Sequence, residues 1–322
     1  MQTVDLARRY LWRMRKWARY ATRNSQHHVP QGRGRIYHPH LLEGYFNDLT
    51  GKAHWRGLVD DHGVPIIQTD RGNKFSFPIT VFQKGLAHWD LWLLSGRTNS
   101  SERDKFLTIA EWGVRNIDSN GGWRCWELFG RGTACPYSSM AQGQGVSVLS
   151  RAHLFTGDAR YRSAAFRARD EMLDPNSNLG VARREADGLI LEEYPGSRMP
   201  AVLNGWMFSL MGIQDFQLAF PGERSGEPLE ESLSALASRL FDYDTGYWSQ
   251  YDLEGRLASP FYHDLHIAQL QALADTFPEH SAVFARTAAR WAAYRESPIH
   301  KFHAIAVKIK QKLVDVENEE MA

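Results

Sequence analysis

Apolar residues recur every three to four positions in nine segments of helical length between residue 77 and the end of the chain. This spacing places the apolar side chains on one face of an α-helix, so each segment is predicted to be amphipathic and helical. The first segment is FPITVFQKGLAHWDLWLL and the last is HAIAVKIKQKLVDV. Turn-forming residues separate them, as in NIDSNGGW and LDPNSNLG. We therefore predict a mostly α chain of antiparallel helical hairpins with an inner and an outer layer.

Two stretches have the character of β-strands instead. GLILEEY at 188–194 is apolar before a Pro-Gly turn, and GYWSQYDL at 246–253 alternates aromatic and polar residues. We expect both to be hairpin excursions at one end of the helical array. Residues 30–76 are rich in Gly, His and Asp, and we expect an irregular segment packed on the domain formed by residues 77–322.

The first part of the chain carries a concentrated positive charge. Residues 1–35 contain nine Lys and Arg residues against Asp5 alone, so this segment is +8 and the remainder is −7, within a total of +1. Leu6, Tyr10, Met14 and Trp17 recur at helical spacing among the arginines. Residues 1–29 are therefore predicted to form a basic amphipathic helix, which either meets an anionic surface or docks on its own domain.

Composition restricts the class of protein. The chain has 322 residues, 43% of them hydrophobic, and no run long enough to span a bilayer, so either one large core or two modest ones are expected. Cys125 and Cys135 are too few for a disulfide framework, although one bridge between them stays open. Because no apolar signal segment precedes the basic helix, we expect a cytoplasmic protein.

Two motifs carry weak chemical signals. QGQGVS at 142–147 lacks the lysine of a phosphate loop, so its glycines are expected to permit close helix packing. His263 and His266 lie three apart on a predicted helix, but no third metal ligand is evident, so hydrogen bonding is the expected role. No metal or other cofactor is predicted.

The stretch LEEYPGSRMPAVLNGW holds the most specific chemistry. Glu192, Glu193 and Tyr194 lie at a Pro-Gly turn directly before a predicted helix. Taken alone, two adjacent acids at a turn are typical of a solvated loop near a helix N-terminus.

Five ordered blocks change that interpretation. VPIIQTDRGNKFSFPITVFQKGLAHW, YSSMAQGQGVSVLSRAHLFTGD, LEEYPGSRMPAVLNGWMFSLMGIQDF, YDTGYWSQYDL and YHDLHIAQLQAL resemble the D-glucuronyl C5-epimerases, which act on heparan-type precursor polysaccharides such as heparosan. The resemblance covers most of residues 45–295. It implies an (α/α) toroid, here a short form without the β-sandwich domain of the animal enzymes, and an isomerase that converts D-glucuronic acid residues to L-iduronic acid within the polymer.

The resemblance also implies the roles of particular residues. Inversion at C5 needs a base on one face of the sugar, an acid on the other, and donors for the charge that develops on the carboxylate. Glu193 matches one proton-transfer group, taken as the base, and Tyr262 would act from the opposite face, with Tyr194 and Tyr251 completing the catalytic set. Substrate contacts are implied at Asn204, Arg198, Gln83, Tyr137, Gln144, Trp206, Arg256, His263 and His266.

Departures from the family pattern concern the substrate more than the reaction. Glu254 and Ser259 stand where the family has arginines, so Arg198, Arg256 or Lys84 would have to supply the positive charge. Phe75 and Phe77 replace tyrosines near the cleft. Two other hypotheses therefore stay open: a polysaccharide lyase that abstracts the same C5 proton, and a polysaccharide-binding subunit without catalysis.

The expected partners follow from these features. They are an anionic, uronate-containing polysaccharide, an anionic membrane surface met by residues 1–24, and a second copy of the chain. No nucleic acid is expected. The expected location is the cytoplasm, with peripheral attachment to the inner face of the membrane.

Overall fold

Nine α-helices make up most of the part of the chain that the structure describes. The structure is a computed structural model. It describes residues 29–69, 72–126, 129, 135–195, 200–223 and 226–321, with side chains up to residue 311. The helices are α1 (Pro78–Leu94), α2 (Ser100–Asn116), α3 (Ser139–Thr156), α4 (Ala159–Leu173), α5 (Leu203–Ala219), α6 (Gly226–Arg239), α7 (Pro260–Thr276), α8 (Ser281–Glu296) and α9 (Pro298–Met321). All nine coincide with the segments predicted from apolar spacing, which confirms the mostly α prediction. The basic helix predicted for residues 1–29 lies almost wholly outside the described residues.

The helices form two layers. Helices α1, α3, α5 and α7 pack in sequence, α1 on α3, α3 on α5 and α5 on α7, while α2, α4 and α8 each pair with one of them in a hairpin. Inner α5 buries nearly all of its residues, whereas outer α8 buries Phe284, Thr287, Ala288 and Trp291 alone. An arc of inner helices backed by outer helices is an incomplete (α/α) toroid, as predicted.

Glycines allow α3 and α5 to approach closely. A Cβ added at Gly143 would lie 2.7 Å from the Cα of Ser209, and one added at Gly212 would overlap the backbone of Gly143. These distances are too short for a side chain, so α3 and α5 make backbone contact here. The packing role expected for the glycines of QGQGVS is confirmed at Gly143.

The strands are short and lie outside the helical layers. Strands β1 (Leu58–Val59), β2 (Pro65–Gln68) and β3 (Lys74–Phe75) form an antiparallel sheet within the segment predicted to be irregular. Strands β4 (Ala182–Glu185) and β5 (Gly188–Leu191) form a hairpin, which confirms the first predicted excursion. Residues 246–253 form isolated bridges instead, Asp244 with Ser249 and Gln250 with Leu257, because turns interrupt any longer ladder.

The segment before β1 seals one end of the inner layer. The Tyr37 hydroxyl lies 2.5 Å from Oγ1 of Thr276, the last residue of α7. The backbone N–H of Tyr45 donates to Asp90, near the end of α1, at 2.9 Å. Because Tyr37 and Tyr45 belong to one continuous segment, residues 33–49 close the C-terminal ends of the first and last inner helices. We call residues 33–49 the end plug.

A buried ion pair anchors the end plug. Arg151 of α3 donates to Asp215 of α5 at 2.6 Å, and both side chains are less than 5% exposed. The remaining donors of Arg151 reach the plug carbonyls of Glu43 at 3.1 Å and Gly44 at 3.4 Å. Because both charges are hydrogen bonded, their burial is tolerated, whereas removal of one partner would leave an uncompensated charge. The plug is thus fixed to two inner helices at once.

Among the described residues, no helix has the combination of length and apolar character needed to cross a bilayer.

Candidate functional site

Three helix N-termini meet at the end of the inner layer opposite the end plug, and the predicted catalytic residues lie there. The N–H of Ser139, at the start of α3, donates to the carbonyl of Glu192 at 3.0 Å. The N–H of Leu203, at the start of α5, donates to the carbonyl of Tyr251 at 3.0 Å. Tyr262 lies in the first turn of α7. Helix N-termini carry partial positive charge, so this end of the domain favours an anionic ligand.

The two adjacent glutamates have different surroundings. Glu192 accepts from Arg183 at 2.8 Å and from the backbone N–H of Ala201 at 2.9 Å, and it is fully buried. Ala201 has a positive φ of 47°, so the Glu192 carboxylate stabilises a strained connection into α5. Its hydrogen bonds are made within the fold, and Glu192 is structural.

The Glu193 side chain is buried without a salt bridge among the described residues. Its backbone carbonyl accepts from the indole N–H of Trp126 at 3.0 Å, and 4% of the residue is exposed. Burial raises the pKa of Glu193 to about 8, aided by the negative charge of Glu192 and opposed by a hydrogen bond from Tyr194 and the positive charge of Arg256. At neutral pH only about one tenth of the carboxyl is ionised, but that fraction is a stronger base than an ordinary carboxylate.

Gly205 leaves the space that Glu193 occupies. A Cβ added at position 205 would overlap Oε2 of Glu193 and lie 2.7 Å from its Cβ. Gly205 lies in the first turn of α5, directly after Asn204, and is fully enclosed. The glycine of the sequence LNG is therefore required by the position of the Glu193 side chain.

Three tyrosines extend from this carboxyl in a connected cluster. The Tyr194 hydroxyl hydrogen bonds with the Glu193 carboxyl and with the Tyr251 hydroxyl. The rings of Tyr251 and Tyr262 meet edge to face with centroids 4.8 Å apart. Burial, and then the charge of Glu193, raises the pKa of Tyr251 well above its usual value, so this phenol is neutral. The structure thus brings the four predicted catalytic residues together.

Arg256 supplies the positive charge beside this cluster. Its guanidinium carbon lies 5.8 Å from the centroid of the Tyr251 ring, and its side chain is 46% exposed. It pairs with Asp252 and approaches Glu254 at 3.6 Å. Because Arg256 is half exposed and lowers the pKa of Glu193, it is placed to meet a carboxylate that enters the site.

Aromatic rings form a wall on one side of the site. Trp126 packs on Tyr194 with centroids 4.2 Å apart, and Phe77, the N-cap of α1, lies 5.7 Å from Trp126. Phe129 contacts Phe77 at 5.1 Å. Through Phe77, the N-terminus of α1 also lies at the site, as the fourth inner helix to do so. The rings of Phe77, Trp126 and Phe129 carry no hydroxyl group, in agreement with the phenylalanine noted at position 77 in the sequence.

Unpartnered polar atoms continue inward from Glu193. Within the described part of the chain, Oε2 of Glu193, Oδ1 of Asn204, Oε1 of Gln269 and both amide atoms of Gln144 are buried without a hydrogen-bond partner. The Gln269 amide donates to the Asn204 carbonyl at 3.3 Å, so these two residues adjoin. Buried polar atoms without partners are rare and indicate bound water or ligand. The predicted substrate contacts Asn204 and Gln144 are consistent with this placement.

Other predicted substrate contacts have structural partners. The Trp206 indole is fully buried and donates to Ser232 of outer helix α6 at 2.8 Å, so it packs between layers instead of facing a sugar. The Tyr137 hydroxyl donates to Asp118 at 2.6 Å and is likewise committed to the fold. The side chain of Gln83 is buried within α1.

His263 and His266 are also buried and packed within the fold. His263 stacks on Trp248 with ring centroids 3.7 Å apart, and its Nδ1 lies 2.8 Å from the Ser249 hydroxyl. Nδ1 of His266 lies 3.1 Å from the same hydroxyl. Burial lowers the pKa of His263 to about 4 and that of His266 further below its usual value, so both are neutral. The expected hydrogen-bonding role is confirmed.

Of the two other predicted cations, one lies outside the described residues and the other has a structural partner. Arg198 lies outside the described residues. Lys84 donates to the carbonyl of Gly63 at 2.8 Å, and its pKa is lowered by burial and then by the nearby Lys105. Arg256 is therefore the predicted cation that the structure places beside Glu193.

Among the residues described, no three His, Cys, Asp or Glu side chains converge as a metal site. Cys125 and Cys135 are both buried and free.

Sequence reasoning missed Gly205 and Trp126, which form the walls around Glu193. The sequence contains a local indication for Gly205, which follows Asn204 at the start of an otherwise apolar predicted helix. Glycine lowers the stability of a helix, so its presence there indicates a packing or functional requirement. Trp126 had none, since it reaches Glu193 across 67 residues of sequence.

Comparison with known proteins gives a family profile, related sequences and solved structures that are similar to this chain. The family profile described as D-glucuronyl C5-epimerase C-terminus matches residues 118–293. A D-glucuronyl C5-epimerase of Caenorhabditis elegans is 33% identical over 215 residues, which is 59% of this chain and 34% of that protein. An uncharacterized protein of Methanocaldococcus jannaschii is 28% identical over 141 residues, which is 41% of this chain and 44% of that protein. The chain thus spans less than half the length of either relative.

A solved structure described as a UGL variant with dGlcA-Glc-Rha-Glc aligns with a TM-score of 0.45 and 13% identity. The alignment covers 67% of this chain and 61% of that chain.

Proposed function

This chain belongs to the D-glucuronyl C5-epimerase family, through the C-terminal region of that family, and from this premise we propose that it inverts C5 of D-glucuronic acid residues within a polysaccharide, giving L-iduronic acid. The observation that carries the proposal is the Glu193 carboxyl, buried and connected through Tyr194 and Tyr251 to Tyr262. A base of raised pKa close to the neutral phenol of Tyr251 matches the needs of proton abstraction from carbon.

In the proposed reaction, the C5–H bond breaks and its proton passes to Glu193, while the electron pair moves into the adjacent carboxylate. The resulting enediolate-like dianion is stabilised by Arg256 and by the helix N-termini at this end of the domain. Tyr262 then gives a proton to C5 from the opposite face. After the reaction, Glu193 holds the proton taken from C5 and Tyr262 has lost its hydroxyl proton. Proton exchange with solvent returns both side chains to their starting protonation states.

The raised pKa of Glu193 serves this chemistry. The C5–H group is a weak carbon acid with a high pKa. A carboxylate whose pKa is about 8 lies closer to that pKa than an ordinary glutamate of pKa 4.5, so transfer of the proton to it is less unfavourable. A uronate entering beside Glu193 adds negative charge that would raise its pKa further, and Arg256 offsets this effect. The unpartnered polar atoms of Asn204 and Gln144 would hydrogen bond with sugar hydroxyls or water.

Isotope exchange tests this proposal directly. The full chain is incubated in deuterated water with heparosan, with other glucuronate polymers as separate substrates, and C5 is examined by NMR. Deuterium at C5, with iduronate formed and chain length unchanged, is the expected result. Shortened chains with ultraviolet-absorbing unsaturated ends would identify a lyase, and polymer binding without deuterium incorporation would identify a binding subunit. Either outcome would replace the epimerase proposal.

The rate of exchange should depend on pH through Glu193. Because burial raises its pKa to about 8 and the ionised form is the active base, kcat/KM should rise about tenfold per pH unit below 8 and level off above it. The profile is measured from pH 6 to 9.5 on the same polymer. A rate that stays flat over this range would exclude Glu193 as the group that titrates.

We further propose that residues 1–24 hold the protein on the cytoplasmic leaflet of a membrane, where an anionic surface favours their positive charge. Each basic residue near such a surface contributes about 1 kcal/mol, and Trp12 and Trp17 suit the interface. Deletion of residues 1–24 should abolish sedimentation with vesicles of anionic lipid while exchange on short oligosaccharides persists. Equal vesicle binding by the two forms would rule out this anchor.

A further inference from the structure

The turn that carries Arg256 is built around a buried carboxylate. Asp252 is fully buried, and its Oδ1 accepts from the backbone N–H of Glu254 at 3.0 Å and from that of Arg256 at 3.2 Å. Its Oδ2 accepts from the Nε–H of the Arg256 side chain. One oxygen of this carboxylate therefore shapes the backbone of residues 252–256, and the other holds the guanidinium of Arg256.

The backbone of the same turn has further partners on both sides. The N–H of Tyr251 donates to the carbonyl of Arg256 at 2.6 Å, and Gly255 closes the turn with a φ of 82°. On the outer side, Gln311 of α9 accepts from the N–H of Leu257 at 3.0 Å and donates to the carbonyl of Gly255 at 2.9 Å. The position of the Arg256 backbone therefore does not depend on the buried carboxylate alone.

The direction of the Arg256 side chain depends on that carboxylate more strongly. The side chain is half exposed, and its approach to Glu254 at 3.6 Å is too long for a hydrogen bond. Among the described residues, the bond from Nε to Asp252 is the hydrogen bond that directs the guanidinium. It leaves the two terminal nitrogens of Arg256 as donors for a ligand.

Formation of the turn does not require a charge at position 252. The side-chain oxygen of an asparagine could accept from both backbone N–H groups without burial of a charge. Burial raises the pKa of Asp252, and the positive charge of Arg256 and the hydrogen bonds of the turn oppose this effect. Because the desolvation of a buried carboxylate offsets much of the gain from its ion pair, the second oxygen indicates a role in placing Arg256.

We propose that Asp252 is a positioning residue for C5 inversion, which holds the guanidinium of Arg256 where the uronate carboxylate enters the site. This inference rests on the proposed function, since the carboxylate in question belongs to the reacting sugar. Negative charge on that carboxylate grows as the C5–H bond breaks, and a cation already fixed in place stabilises it without reorganisation. Asp252 therefore affects the rate of the reaction more than the binding of the polymer.

Asp252→Asn separates the roles of the two carboxylate oxygens. The amide keeps an acceptor for the turn but loses the acceptor for Nε of Arg256, so the guanidinium is released. We expect kcat/KM for deuterium exchange at C5 to fall about 10²-fold, mostly in kcat, because misplacement of a group by about 1 Å has an effect of this size. Arg256→Lys keeps the charge without the planar fork, and it should lose a comparable factor even if Asp252→Asn folds poorly.

A double variant tests whether Asp252 acts through Arg256. Arg256→Gln alone should lower kcat/KM by about 10²- to 10³-fold, and Asp252→Asn added to it should cause no further loss. Additive losses would assign Asp252 a role that is independent of Arg256, and they would overturn the proposal.

Asp244→Asn is the matched control. Asp244 also accepts from a backbone N–H of its own turn, that of Gly246 at 2.8 Å, and pairs with Arg290 at 2.6 Å, but this arginine lies on outer helix α8. The control should lower the melting temperature and leave exchange per folded molecule close to that of the wild-type chain.

The outcomes separate this inference from the proposed function. Normal kcat/KM per folded molecule in Asp252→Asn or in Arg256→Lys would overturn the positioning role, while exchange by the wild-type chain would still support an epimerase. A wild-type chain that shows no exchange on any glucuronate polymer would overturn both.

Discussion

Replacing Glu193 with glutamine is expected to lower C5 exchange by about 10³-fold or more, since positioned acid-base groups contribute roughly 10²- to 10⁴-fold. The amide has the shape of the carboxyl and still accepts the hydrogen bond of Tyr194, but it cannot take a proton. Exchange of deuterium at C5, measured above pH 8 where the wild-type base is ionised, gives the difference.

The same variant should keep or gain stability at alkaline pH. The pKa of Glu193 in the folded state, about 8, lies above its ordinary value of 4.5. The protonated carboxyl therefore contributes to the free energy of unfolding in full below pH 4.5, and this contribution is lost as the pH rises toward 8. A glutamine carries no such penalty. Thermal unfolding at pH 9 should therefore show a melting temperature equal to or above that of the wild-type chain, so lost exchange cannot be ascribed to unfolding.

Glu192→Gln is the matched control for this experiment. It alters the adjacent carboxylate, which pairs with Arg183 and holds the N–H of Ala201, so it should lower the melting temperature while leaving most of the exchange per folded molecule. If Glu193→Gln kept near-normal exchange, the base assignment would fall and a tyrosinate of the cluster would become the better candidate.

Replacing Gly205 with alanine should cost at least ~100-fold in exchange, although Gly205 contributes no functional group. The new methyl group would overlap Oε2 of Glu193 and displace the carboxyl from its place beside Tyr194. Misplacement of a reacting group by about 1 Å can cost about 10²-fold in rate, whereas overpacking costs about 1–3 kcal/mol of stability, which a domain of this size tolerates.

Gly226→Ala offers a comparison in which a helical glycine has room. A Cβ there would meet its nearest neighbour, the amide of Gln217, at 3.5 Å, so exchange and stability should stay close to wild type. If Gly205→Ala showed a normal rate of exchange and a higher midpoint in the pH profile of that rate, the Glu193 carboxyl would have moved to a new productive position. The rigid placement inferred for this carboxyl would then be incorrect.

The helices were predictable because their signal is local. Apolar spacing marked all nine, and Pro78, Ser259 and Gly157 mark starts and an end with ordinary capping chemistry. The strands between residues 58 and 75 were not predicted, because each has two to four residues and its pairing depends on partners that periodicity does not reveal.

The resemblance selected Glu193 as the base, and the structure places the residues it named for catalysis beside one another. No local signal explains why Glu193 differs from Glu192, since the difference comes from Arg183 on strand β4 and from Gly205 on α5. Trp206 was expected to line the cleft as an aromatic substrate contact, yet helical rotation turns its indole toward Ser232. Long-range contacts decide both cases, and they are absent from the linear pattern.

The end plug has a consequence for how a polymer can be handled. The Arg151 and Tyr37 contacts fix residues 33–49 across the C-terminal ends of the inner helices, opposite the end where Glu193 lies. Under the proposed function, a long polymer would therefore not thread through the helical array but would lie across the end that holds Glu193. Both termini of the polymer would stay free, and interior sugars would be as accessible as those near an end.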